Sequence, residues 1–330
     1  MSEATSVLEI IPPDSSQHDA SLIILFFVLQ LIGLVGSIFT IVIAHFSLIR
    51  RHLTWYNFLA SWIISSLSYS LLLFAGQIDL SGEKKSEVPF GLCVFQSSVI
   101  YASPPLSAAT MLGMVAQIWF SVHLMLFKRP MIAQKLMTRI VLILPYMLFL
   151  GISTEALVFG LMYPDSVRVT GSGMYCNSGL AIPGRISAGV VAVVLVPVVV
   201  IEILIIASLR KFWSVFKSPG TSPSINTLSM IIRVLLFSIF GILALGLSLF
   251  FFFTIHHGAA LNIVIAFIPV TAVFTFASQK DLLEVWMFRK WRKKGSSAVF
   301  VPARAMAESD STLGSPVSVY DEKDLPPLPA

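Results

Sequence analysis

The stretch "SLIILFFVLQLIGLVGSIFTIVIAHFSLI", residues 21–49, contains no Asp, Glu, Lys or Arg. A helix at the surface of a soluble protein keeps one polar face, whereas this run carries only isolated polar residues. At a rise of about 1.5 Å per residue it is long enough to cross about 30 Å of hydrocarbon. The same character recurs in six further runs, at approximately 57–77, 92–127, 140–162, 186–209, 230–254 and 259–278. Across 330 residues, 56% are hydrophobic and only 12% charged, with a mean hydropathy of +0.87. Soluble domains carry about twice that share of charge.

These runs predict an all-α integral membrane protein, a bundle of seven helices over residues 21–278 that takes the lipid bilayer as its partner. Helices are expected rather than strands because a spanning backbone must satisfy its own hydrogen bonds, and a barrel would show alternating segments of about ten residues. The third run is long and contains Pro104-Pro105. It reads as one tilted helix kinked at the prolines, since the piece before them is too short to span. Pro269 is a second candidate kink, in the seventh run.

Basic residues set the orientation. With the N-terminus outside, Arg50, Arg51, Lys128, Arg129, Arg210 and Lys211 fall in inner loops, while the short outer loops hold only Lys84, Lys85, Arg168 and Arg185. That asymmetry follows the positive-inside rule and predicts a multi-pass protein with a cytoplasmic C-terminus; the plasma membrane is its expected location. Residues 1–20 read as a short acidic extracellular arm without a cleaved signal. Residues 279–294 interleave Leu282, Leu283, Trp286 and Trp291 with basic side chains, the pattern of an amphipathic helix on the inner leaflet or of a general basic lipid anchor. Residues 295–330 turn abruptly to Ser, Pro and acidic residues and read as a disordered cytoplasmic tail. Its serines suit phosphorylation, and Pro326-Pro327-Leu328-Pro329 suits a WW or SH3 module, although such tails also occur without partners.

The chain has two cysteines. Cys93 falls at the outer end of the third run and Cys176 in the outer connection that follows the fourth. Both face the oxidising side, where a disulfide persists. A bridge would tie the stretch "DSVRVTGSGMYC" as a hairpin across the mouth of the bundle; the alternative is two unpaired thiols at the membrane edge.

Ionisable groups inside apolar spans mark candidate function because they are costly there unless paired or hydrated. Glu155 and Glu202 stand out. They differ in depth by on the order of 10 Å on the helical rise, so a shared-proton pair is not expected. Glu155, with Gln96, Tyr101 and Ser103, forms a candidate ligand pocket open to the outside and suited to a cationic or hydroxyl-bearing molecule; the alternative is a neutral glutamate bonded between helices. Glu202 is expected to meet Arg233 or His123 as an inner restraint that breaks on activation, or as a static structural pair.

The chain resembles a G-protein-coupled receptor in its seven runs, its outer N-terminus and the placement of Cys93 and Cys176. More narrowly, "RRHLTWYNFLASWIISS" (residues 50–66) and "FASQKDLLEVW" (residues 276–286) are similar to receptor-like seven-span proteins of basidiomycete fungi, where the second motif reads closer to Phe-Gly-Thr-Gln-Lys-Asp. Ala277-Ser278 replaces Gly-Thr here. The resemblance covers roughly residues 21–294 and implies a heterotrimeric G protein as inner partner, contacted through the basic loops, and an unknown extracellular ligand. Rhodopsin-like switches are absent: "FSVHLMLFKRP" lacks an acidic-Arg-Tyr triplet, the sixth run has no proline, and the seventh has no lysine to carry retinal.

No metalloprotease helix, phosphate-cradling glycine loop or nucleophile elbow occurs. Nor is there an Asn-x-Ser/Thr glycosylation acceptor. An enzyme, a cofactor, a metal site and a nucleic-acid partner are therefore not expected. A seven-helix transporter of a lipid or small solute, using Glu155 and Glu202 as stations, is the alternative to a receptor.

Overall fold

The computed structural model describes residues 20–46, 51–78, 88–127, 134–170, 173–211, 243, 246 and 259–278. Seven helices, a short 3-10 turn and one hairpin account for most of them. In chain order they are α1 (Ala20–Phe46), α2 (Leu53–Tyr69), α3 (Leu71–Phe74), α4 (Phe90–Phe127) and α5 (Gln134–Met162). The 3-10 turn Pro164–Ser166, strands β1 (Val167–Val169) and β2 (Cys176–Ser178), and α6 (Ala181–Lys211) follow; the last helix, Ala259–Ala277, is α7 here. Segments within α1, α4, α5 and α6 are long and apolar enough to cross a membrane; Asn262–Ala277 of α7 is a shorter apolar helix. The run at 230–254 apart from residues 243 and 246, Arg233 within it, Arg50, Lys128, Arg129, residues 1–19 of the terminal arm and everything after residue 278 lie outside the described residues.

The third run is a single helix with both Pro104 and Pro105 inside it, as its length required. Helix α4 is also the central one: 83% of its most apolar window is buried, against 17% for α5, and it packs on α2, α5 and α6. Helix α5 accordingly leaves Ile143, Met147, Leu150, Val158 and Leu161 exposed. Such a face suits lipid tails, which are as apolar as leucine.

With no water to expel from between spans, helix association depends on close van der Waals contact, and small residues permit it. Helix α1 supplies them on its buried stripe. A Cβ built at Gly33 would stand 2.6 Å from Pro269 Cβ, and one at Gly36 would stand 2.6 Å from Val273 Cγ1. The absence of a side chain at these two positions lets α1 lie against α7. At the centre, Trp55 and Phe58 of α2 pack with Phe276 of α7, the Phe58 and Phe276 rings 5.3 Å apart and edge-on. That arrangement suits the aromatic quadrupoles.

The second run departs from a plain span. It starts at Leu53, earlier than the apolar pattern suggests, and breaks at Ser70 before the one-turn α3. Just before the break, Ser68 Oγ donates back to the Ile64 carbonyl at 2.8 Å, a bond that bends helices. The segment then closes on Gly76 at φ 65°. The Gly76 N–H donates to the Leu73 carbonyl and that of Gln77 to the Leu72 carbonyl, each at 3.0 Å. This is a Schellman motif, which needs a residue at ease in the left-handed region.

The outer-loop hairpin expected from "DSVRVTGSGMYC" is present. Strands β1 and β2 pair antiparallel with Val169 opposite Cys176. Gly173 holds φ 73° between them, and its N–H donates to the Thr170 carbonyl at 2.8 Å.

Candidate functional site at the hairpin end of the bundle

Four elements converge where the hairpin meets the helices. Cys93, in the first turn of α4, is disulfide-bonded to Cys176 of β2, with the two Cα atoms 5.2 Å apart. Both cysteines are buried, and Leu72 of α3 packs beside them. The pairing that sequence left open is thus made.

One turn further along α4, Gln96 is fully buried and bonded on both sides of its amide. Its Oε1 accepts the Cys176 N–H at 3.0 Å. Its Nε2 donates to the carbonyls of Ser68 at 3.1 Å and Tyr69 at 3.5 Å. Those carbonyls lie just before the break at Ser70, where helix ends leave acceptors in need of partners. A single side chain therefore joins the hairpin, the central helix and the interrupted second helix. Ser103 extends the seam with a 3.4 Å contact to Ser68 Oγ, and Thr110 donates to Ser61 Oγ at 2.9 Å.

Tyr101 turns to the other side. Its hydroxyl donates to the Ser178 carbonyl of β2 at 3.2 Å, and its own carbonyl accepts from Ser187 Oγ of α6 at 2.7 Å. It also feels the Glu155 carboxylate electrostatically. Both Glu155 oxygens are shielded from solvent and lack a hydrogen-bond partner among the described residues. Of the expected pocket residues, then, Tyr101 and Glu155 come into each other's field, whereas Gln96 and Ser103 bond towards α2. A shielded carboxylate is stable as the neutral acid or beside a group that supplies charge or protons.

The hairpin also sends side chains inward. Met174 is 1% exposed, and the Tyr175 hydroxyl donates to Asn262 Oδ1 of α7 at 2.8 Å. The Tyr175 ring lies 5.4 Å from that of Tyr69 at 82° and 6.0 Å from that of Phe26 at 31°. Burial first, then the neighbouring Tyr69 and Tyr101, push the Tyr175 phenol well above its ordinary value. Sequence reading passed over Tyr175 and Asn262. The only signal was an aromatic residue beside a cysteine at a glycine-rich turn.

At the opposite end, the Arg51 guanidinium sits 5.6 Å from the Trp55 ring centroid, and the Tyr146 hydroxyl hydrogen-bonds Asn57 Oδ1. His52 occupies the N-cap position of α2 without a side-chain bond to the helix backbone, and its Nδ1 lies 3.2 Å from Thr54 Oγ1. Glu202 is 5% exposed on α6. His123, partly buried on α4, has its ring 6.3 Å from Trp119. Arg210 is exposed, and Lys211 ends α6.

In comparison with known proteins, the chain matches no family model and no curated protein.

Proposed function

We propose that this chain is a cell-surface, receptor-like seven-span protein that senses an external ligand and signals through a heterotrimeric G protein. The observation that carries the reading is the hairpin, disulfide-bonded to the central helix and joined by Gln96 to the break in the second. Such a lid links whatever docks at one end of the bundle to the packing of several helices. In this reading the N-terminus and hairpin face outside the plasma membrane, and residues 230–254 supply a further span. The basic inner loops, including Arg50, Arg51, Lys128 and Arg129, meet the G protein, as the similarity to basidiomycete receptor-like proteins implies. Movement of the helices is then a two-state transition of the kind signalling requires.

Transport of a lipid or small solute is the second reading, favoured by one observation: the Glu155 carboxylate, shielded and without a hydrogen-bond partner among the described residues, suits a proton or cation station. One experiment separates the two. The chain in nanodiscs is assayed for nucleotide exchange on purified fungal G-protein α subunits while environmental extracts are screened, and solute flux is followed in matched liposomes. Accelerated exchange that is lost when Arg50, Arg51, Lys128 and Arg129 are replaced supports the receptor. Reproducible flux without exchange replaces it with the transporter.

A further inference from the structure

We infer that the space between α1, α2 and α7 at the hairpin end is a binding site for an aromatic alcohol of the phenol class, which the chain fills with its own Tyr175. The site has two recognition elements. Phe26 and Tyr69, 0% and 5% exposed, present ring faces and edges to the Tyr175 ring on two sides. They are themselves held edge-on to each other, with centroids 6.0 Å apart, so the slot is set by packing between α1 and α2. Asn262, buried near the start of α7, supplies a directed contact, accepting the hydroxyl at 2.8 Å. A planar ring slot with a hydrogen-bond acceptor at its end is the chemistry that selects a phenol over an aliphatic alcohol or a plain arene.

Tyr175 is delivered as a tethered occupant. Its carbonyl accepts the Thr170 N–H at 2.8 Å, and the next residue, Cys176, is fixed both in the β pairing and by the disulfide. A tethered group competes at an effective concentration on the order of mM, so weakly binding free phenols are held out of the intact protein. Tyr175 as a residue is only partly buried, so the occupant is carried in from the rim of the bundle, where withdrawal of the hairpin opens the slot. The inference holds whether the bundle signals or transports, because it concerns occupancy alone.

The test uses the full chain in lipid nanodiscs, with p-cresol as probe and toluene as the control lacking a hydroxyl. In Tyr175→Ala, p-cresol should raise the thermal midpoint in a saturable manner, with an apparent affinity at least about tenfold tighter than for wild type, since the tethered competitor is gone. Toluene should bind about fivefold more weakly than p-cresol, the loss of one hydrogen bond, and Asn262→Leu combined with Tyr175→Ala should abolish that preference. A second preparation, the wild type with Cys93–Cys176 reduced, releases the hairpin while keeping every lining side chain and should gain the same p-cresol response. Equal responses of wild type and Tyr175→Ala, no preference for p-cresol over toluene, or no response in either preparation would overturn the inference.

Discussion

Replacing Gln96 by Met tests how firmly the hairpin is coupled to the helices. Methionine has nearly the same length and volume, so the substitution removes hydrogen bonds without opening a large cavity. Three contacts disappear: the acceptor for Cys176 N–H at 3.0 Å and the two donations to α2 at 3.1 and 3.5 Å. Cys176 is 0% exposed, so its N–H cannot turn to water while the hairpin stays docked. An orphaned buried donor costs about 1–3 kcal/mol, which corresponds to about a 5- to 150-fold change in an opening equilibrium. Hydrogen exchange followed by mass spectrometry on nanodisc-embedded protein reads this directly. The peptide containing Cys176 should exchange faster by a factor in that range, and the segment around Ser68 should lose protection with it. Ser98→Ala serves as control because, among the described residues, that hydroxyl bonds within its own helix, to the Phe95 carbonyl at 2.8 Å. Unchanged exchange at Cys176 in Gln96→Met would refute the bridging role.

Three further outcomes are expected. Gly33→Ala places a methyl group where Pro269 Cβ already stands, 2.6 Å away, and should destabilise the protein by about 1–3 kcal/mol through overpacking; Gly91→Ala, with nothing within 4 Å, should leave thermal stability unchanged or slightly raised. Replacing both Cys93 and Cys176 by Ser should cost about 2–5 kcal/mol and expose Tyr175 to iodination, seen by peptide mapping. Because the Tyr175 phenol is raised in the folded state above its ordinary 10.0, its contribution to stability is fully present below pH 10 and is lost as pH rises through the folded value. The difference between tyrosinate absorbance titrations of wild type and Tyr175→Phe should therefore show a group ionising well above pH 10, and a difference centred at 10 would remove that burial.

How much of this was legible in the sequence depends on the kind of information each feature carries. Apolar runs mark helices because lipid imposes length and hydropathy on each segment separately. The runs of α1 and α4 were therefore placed to within a few residues and those of α5 and α6 were recognised with later starts, and the prolines of α4 did not divide it. Ends were read less well. Helix α5 begins at Gln134 rather than near residue 140, since polar residues at a membrane edge continue a helix without lengthening its apolar stretch. The break at Ser70 lies among several serines, and whether such a hydroxyl bonds back to the helix, as Ser68 does, is decided by geometry rather than by residue type. The cysteine pairing was visible as an option because only two thiols exist.

Gln96 illustrates the opposite case. Its polarity within a span identified it as consequential, but the choice between a ligand and the hairpin rested on the register of α4 against α2, which one sequence does not encode locally. Tyr175 was invisible for the same reason, as its partners Phe26, Tyr69 and Asn262 come from three distant helices.

The proposed orientation underlies the disulfide's compartment, the basic face for a G protein and the outward position of the hairpin. It is tested most directly by glycosylation mapping, for which the absence of any native Asn-x-Ser/Thr acceptor gives a clean background. Glu3→Asn creates an acceptor with Ala4 and Thr5, and Ser309→Asn creates one with Asp310 and Ser311. Expressed in eukaryotic cells, the Glu3→Asn protein should gain a glycosidase-sensitive mass shift and the Ser309→Asn protein none. Glycosylation of the tail variant, or of both, would contradict an outward N-terminus and with it the receptor reading.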